Sequence, residues 1–364
     1  MRKIAIAATA LAAIIAVALL ARLGGTTALG SAGDGARELW VTSQGTDALY
    51  VFRFPQMERL ARIALPTGAQ PHITTFHRGG RYAYVGGMGD GTVYVLDAEA
   101  RQVVKTLKVA PGGAHQLRVT PDGRTALVAA VGNRTLTRLA VDESRGTWAV
   151  TGTLSLDDLQ KAPVCTVFRQ DGQRAYVSLF PNDIAVVDVT SMTLLDTLAT
   201  DGFVACGMIR SADDSHVVIA SNGDGGHIYT LDLARGTLVD RGTLGAVDWH
   251  SFNMTPDERL GIGTSPHSDE IVLIDLIANP VRKLGTLALT ALPGLSANQP
   301  DALGGGEPIQ RGMLPVSLRA AGQVAVVDLR NMSGRTYTPV VPPLGPFNPM
   351  TCMNCPVHGV TVRP

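Results

Sequence analysis

Charge is scarce in this chain, and where it occurs it cancels. Only 17% of the 364 residues are Asp, Glu, Lys or Arg, and 31 acidic residues face 31 basic ones, for a formal net charge of zero. Nucleic acid and acidic lipid surfaces are bound through a basic excess, so this balance speaks against both as partners. Cysteine is also rare, with four in all: Cys165, Cys206, Cys352 and Cys355. None stands between Ala21 and Ala32, which argues against a lipid-anchored terminus. The pair Cys352 and Cys355 is followed by Pro356 rather than His, so covalent c-type haem is excluded. Heptads, Gly-X-Y periods and low-complexity tracts are missing too, which removes coiled coil, collagen and disorder. What remains is 45% apolar residues with 40 Gly and 21 Pro. That composition suits many short strands and turns rather than long helices.

Arg2 and Lys3 precede an unbroken small and apolar run from Ile4 to Ala21, and Gly30-Ser31-Ala32 follows in a small-residue stretch. This is the charged, apolar, small-residue order of a secretory signal. Residues 1–32 are therefore read as a signal peptide or, if uncleaved, an N-terminal anchor. Residues 33–364 are expected to work in the periplasm or outside the cell, where cysteines default to disulfides.

The rest of the chain repeats one unit: a short apolar strand, a Pro-Asp-Gly-type turn, a β-branched or Tyr-rich strand, a polar turn, and a third strand often ending in Asp. Second strands read Tyr82-Ala83-Tyr84-Val85, Thr125-Ala126-Leu127-Val128 and Ala175-Tyr176-Val177. Third strands end at Asp97, Asp188, Asp232, Asp275 and Asp328. Asp-Gly and Pro-Asp between alternating apolar runs are hairpin signals. Counting back from the turn gives a register through His72, His115, Val164, Cys206 and His250, spaced 42 to 49 residues apart. That is the period of a four-stranded propeller blade. One divergent blade, carrying Val316-Ser317-Leu318 and the Asp328 strand, is expected before His358, its inner strand hidden by a Gly/Pro-rich insertion from about Leu292 to Gln310.

The segment from His358 to Pro364 matches the first strand of a unit with nothing after it. The missing strands stand at the other end, in Ala36–Val41 and Asp47–Phe52. The reading is an all-β, seven-bladed β-propeller, closed by a C-terminal inner strand that pairs with the N-terminal strands and so removes exposed sheet edges.

Pro71-His72 with Tyr82-Ala83-Tyr84-Val85, Thr120-Pro121-Asp122-Gly123 and Val357-His358-Gly359-Val360 resemble the bacterial YVTN-type β-propeller repeat. At fold level this resemblance extends to the cytochrome d1-like and nitrous-oxide-reductase-like propellers. It covers residues 37 to 364 and implies the fold. Propellers similar in this way include surface proteins, electron-transfer subunits, lactonases, haem d1 domains and copper enzymes, so function must come from a site.

In a propeller the innermost strands line a central channel. The register then places His358, His72 and His115 at one mouth in three consecutive blades, with Cys206 and His250 at the same position in two others. Each imidazole alone reads as a strand cap bonded to a neighbouring carbonyl. Together they form a convergent set of the kind a transition metal needs, copper first and zinc second. Cys352-Met353-Asn354-Cys355-Pro356-Val357-His358 leaves three readings open: a local disulfide, a soft-metal site with His358, or a redox dithiol. Cys165 and Cys206 in adjacent blades read as a cross-blade disulfide. The metal set expected from sequence is thus His72, His115, His358, His250, Cys206, Cys352 and Cys355, on an exported monomer with a redox or metal-handling role and a periplasmic protein or redox partner. The alternatives are a non-catalytic interaction scaffold and a haem d1-type binding propeller. The Gly-rich runs at Gly86–Gly91 and Asn222–Gly226 read as tight turns, and His267-Ser268-Asp269-Glu270 as a polar turn.

Overall fold

The computed structural model describes residues 37–364 apart from 78, 205–206, 223–224, 246–248, 256, 266–269, 290–299, 304–311, 319–321, 330–332 and 338–356. The N-terminal 36 residues, Cys206, Cys352, Cys355 and most of the Leu292–Gln310 insertion lie outside the described residues, together with the expectations placed on them.

Among the described residues each repeat folds as an antiparallel four-stranded sheet, seven sheets in all. Blade 1 holds β1 (Arg37–Ser43), β2 (Ala48–Phe54) and β3 (Glu58–Ala64). Blade 2 holds β4 (Pro71–Phe76), β5 (Tyr82–Gly87), β6 (Thr92–Asp97) and β7 (Gln102–Lys108). Blade 3 holds β8 (Ala114–Val119), β9 (Thr125–Ala130), β10 (Thr135–Asp142) and β11 (Thr147–Ser155). Blade 4 holds β12 (Ala162–Phe168), β13 (Arg174–Phe180), β14 (Ile184–Asp188) and β15 (Thr193–Leu198). Blade 5 holds β16 (Met208–Arg210), β17 (His216–Ser221), β18 (His227–Asp232) and β19 (Thr237–Thr243). Blade 6 holds β20 (Ser251–Met254), β21 (Leu260–Ser265), β22 (Glu270–Asp275) and β23 (Arg282–Ala288). Blade 7 holds β24 (Pro300–Leu303), β25 (Met313–Leu318), β26 (Gln323–Asp328) and β27 (Ser333–Tyr337).

The fourth strand of blade 1 is the last of the chain, β28 (Val360–Val362). It pairs antiparallel with β1 in the register Leu39↔Val362, Trp40↔Thr361 and Val41↔Val360. Packing closes the same ring. The described core falls into seven apolar clusters, each drawn from two neighbouring blades. Alternation along a strand explains this, because successive side chains point to opposite faces and each face meets a different neighbour. On β1, Leu39 and Val41 join Val324 and Val326 of blade 7, while Trp40 between them joins Ala83, Val85 and Tyr94 of blade 2.

The repeated Asp at the end of most third strands has a local cause. Asp97, Asp188, Asp232 and Asp275 accept backbone N–H groups two or three residues on, which fixes the turn into the outer strand. Those bonds hold the Asp188 and Asp232 carboxyls below the usual range. The turn from first to second strand works the same way. Asp122 Oδ1 accepts from the Thr120 hydroxyl and the Arg124 N–H, and Gly123 supplies the positive φ of 76°. The Gly86–Gly91 run is also a turn, with Asp90 Oδ1 accepting the Thr92 N–H at 3.0 Å.

Outer strands carry a register shift in six of the seven blades, for example between Val95 and Leu96 against β7 and between Val186 and Val187 against β15. A bulge that bends and twists an edge strand makes it a poor template for another chain.

Candidate functional site

Two-against-one bulges shape the channel mouth. In β4 the pairing jumps from Pro71↔Gly87 to Thr74↔Val85, so His72 and Ile73 together face one residue of β5. In β8 it jumps from Ala114↔Ala130 to Gln116↔Ala129, leaving His115 as the extra residue. β12 jumps from Pro163 to Thr166, so Val164, the register position, and the neighbouring Cys165 share one bulge. Ahead of β28, Thr42 donates its N–H to the Gly359 carbonyl and accepts from the His358 N–H. A bulge turns its extra side chain away from the regular alternation. Here the side chains so released are imidazoles.

The rings converge. His72 and His358 stack with centroids 3.8 Å apart and planes inclined by 21°. His115 lies 4.2 Å from His72, tilted by 53°. His250, from the turn before β20, meets His358 edge-on at 5.8 Å. Four histidines from four blades therefore share one spot. His72 and His358 are buried, and His115 and His250 are partly accessible.

Backbone contacts hold the blades at this spacing. The Thr42 hydroxyl donates to the His72 carbonyl at 2.6 Å and accepts the Gly359 N–H at 2.8 Å, linking β1, β4 and the closing segment. A Cβ on Gly359 would lie 2.6 Å from the His72 carbonyl oxygen, so only glycine allows this approach. Gly86 does the same between blades 2 and 3, where a Cβ would lie 2.4 Å from the Ala114 carbonyl oxygen and 2.9 Å from that of His115. Gly86→Ala is expected to push β8 outward and to cost about 1–3 kcal/mol by overpacking. Urea denaturation checks the cost, and an unchanged midpoint would show that the blades give way freely.

Electrostatics keep His72 and His115 neutral. Burial holds the His72 pKa well below the ordinary imidazole value, and the neighbouring His358, His115 and His250 push it the same way. His115 is lowered to about 3 by desolvation and then by His358 and His250, with the Val164 backbone acting in the opposite sense. A neutral imidazole offers one N–H and one lone pair. The Gln44 amide nitrogen stands 2.7 Å from His72 Nδ1, and as donor it leaves the ring proton on Nε2. Turning that amide so that its oxygen faces Nδ1 reverses the tautomer and frees the Nε2 lone pair. Sequence reading missed Gln44, which follows β1 and meets His72 only through the fold.

Of the expected metal set, the structure brings together His72, His115, His250 and His358. Among the described residues no group of three or more His, Cys, Asp or Glu is arranged to hold a metal ion. The reason is visible in the stacked pair, since ligands to one metal radiate from a common point about 2.0–2.1 Å from each nitrogen, and stacked planes do not. Cys165 is disulfide-bonded and buried, and so is no thiolate ligand. The insertion expected to hide the inner strand of blade 7 contains that strand. β24 pairs as Pro300↔Leu318 and Leu303↔Val316, and by register the mouth position falls to Asp301.

A family model described as "Lactonase, 7-bladed beta-propeller" matches residues 32–160. No curated protein matches the sequence. Among solved structures, Kuenenia stuttgartiensis hydrazine synthase is similar with a TM-score of 0.64 at 14% identity, covering 80% of this chain and 92% of that one. The Myceliophteria thermophila Cps50 (Swd1) β-propeller domain is similar with a TM-score of 0.62 at 9% identity, covering 82% of this chain and 97% of that one. Identities this low carry the fold alone. Sheet topology and these likenesses agree that the chain is a β-propeller, similar over residues 32–160 to the seven-bladed lactonases.

Proposed function

We propose that this is an exported propeller of the YVTN type, monomeric, whose channel mouth binds a transition metal, copper before zinc, in a redox or metal-handling role. The observation that carries the reading is the meeting of four imidazoles from four blades. Neutral rings are what a borderline metal takes, and the depressed pKa values of His72 and His115 keep them in that form at pH 7. Binding requires one ring of the stacked pair to turn and Gln44 to present its oxygen to His72. His72, His115 and His358 then supply the ligands, with His250 beside them. Metal analysis of protein purified from the periplasm without a histidine tag tests this. Stoichiometric copper, lost in a His72→Ala/His115→Ala/His358→Ala variant, is the expected result, and metal-free protein after copper exposure contradicts it.

Two other readings have an observation behind them. The exposed aliphatic residues Val104, Val150, Leu195 and Val239 on the outer strands of four consecutive blades favour an interaction scaffold. The match over residues 32–160 favours lactone hydrolysis. Lactonase assay of the wild type and the triple variant separates the latter from the metal reading.

A further inference from the structure

Deeper in the channel the chemistry changes from neutral rings to cationic forks. Along β8, the innermost strand of blade 3, Leu117 is buried in the cluster shared with blade 2. Gln116 turns the other way, and its Oε1 accepts the Thr166 N–H of β12 at 2.8 Å. Arg118 shares the Gln116 face. It lies three residues past His115, about 10 Å further along the channel wall at ~3.3 Å per residue.

The Arg118 side chain is exposed to water, yet the protein around it desolvates the guanidinium and Arg210 repels it. Its place on the innermost strand of blade 3 puts it at the channel wall rather than at the outer rim. Arg210 comes from β16, the innermost strand of blade 5, so the two guanidinium groups flank β12 from either side. Arg210 is engaged: Nη1 donates to the Phe168 carbonyl at 3.2 Å and Nε pairs with Asp214 at 2.6 Å. Arg118, among the described residues, meets no carboxylate or carbonyl. Gln116 meets β12 at Thr166, and Arg210 meets it two residues further on, at Phe168, so Arg118, two residues past Gln116, comes to the same stretch of β12 as a second cation whose own carboxylate is already taken.

We infer that Arg118, backed by Arg210, is an oxyanion site on the channel wall that takes a small carboxylate or phosphate. A guanidinium matches the two oxygens of either group with parallel hydrogen bonds, and an anion there relieves the repulsion between the two arginines. The inference is independent of any metal at the mouth, because it uses other residues at another depth.

Isothermal titration calorimetry of the whole chain with inorganic phosphate and, separately, with malonate tests it. Saturable binding of either anion is expected, and which of the two binds tells phosphate from carboxylate. Arg118→Gln is expected to weaken that binding at least tenfold, and Arg59→Gln, on the exposed strand β3, to leave it unchanged. Because Arg118→Gln removes a like-charge contact, its melting temperature without anion is expected to equal or exceed that of the wild type. Should that variant not fold, Arg118→Lys, which keeps the charge without the fork, is expected to bind several-fold more weakly than the wild type. No saturable binding of either anion, or equal binding by the Arg118 variants, overturns the proposal.

Discussion

A chain ending at Pro356 is expected to lose its cooperative fold. Removing residues 357–364 strips Val357, Val360 and Val362 from the cluster they share with Leu39, Val41, Tyr50, Val324 and Val326. Three buried valines at about 1.5–3 kcal/mol each give a loss on the order of 5–9 kcal/mol, comparable to the whole stability of an ordinary domain. The deletion also exposes the N–H and C=O row of β1, which β28 otherwise pairs, and so creates a sticky edge. Circular dichroism melting and size-exclusion chromatography check this. Aggregation or a broad, non-cooperative melt is expected, and a sharp melt at the wild-type temperature would mean that the ring closes without its last strand. A milder form, Val360→Ala with Val362→Ala, is expected to lower stability without abolishing the fold.

Acid is expected to weaken the protein well before its carboxylates protonate. The folded pKa values of His72 and His115 lie below the unfolded value near 6.5. Between that value and the folded ones, the unfolded chain binds more protons than the native one. Stability is therefore fully present above pH 6.5 and falls as pH drops, by up to about 1.4 kcal/mol per pH unit for each ring, levelling for His115 near pH 3. The window from pH 6.5 to 5 isolates the imidazoles, because Glu38, Asp122 and Asp275, held below their usual values, add their loss only at lower pH. Urea titrations across that window are expected to show the slope in the wild type and a flattened profile in His72→Asn/His115→Asn. A wild type whose stability does not change from pH 6.5 to 5 would show that the cluster is hydrated and charges freely.

The architecture is legible in the sequence because a propeller repeats its signals. Turn Asp and Gly, alternating strands and the terminal Asp recur, and even the split blade declares itself when Val360 is set against the strand around Trp40. The histidine register is legible for the same reason. The bulges that aim those histidines are not, because two residues facing one leaves no mark in a pattern of apolar alternation. β24 escapes notice because it is four residues long and sits inside a Gly/Pro-rich stretch without alternation. Gln44 and Arg118 escape because each reads as an ordinary polar residue of a turn or strand. Their roles come from partners that only ring closure supplies, His72 for one and Arg210 for the other.

The claim on which the site depends is that closure makes neighbours of histidines from opposite ends of the chain. Nuclear Overhauser contacts in protein labelled only in its histidine rings measure this directly, with single His→Asn variants assigning each signal. The account predicts ring-to-ring contacts from His72 to both His358 and His115, both lost when residues 357–364 are removed. Rings that contact no other histidine in the folded, full-length chain would contradict it.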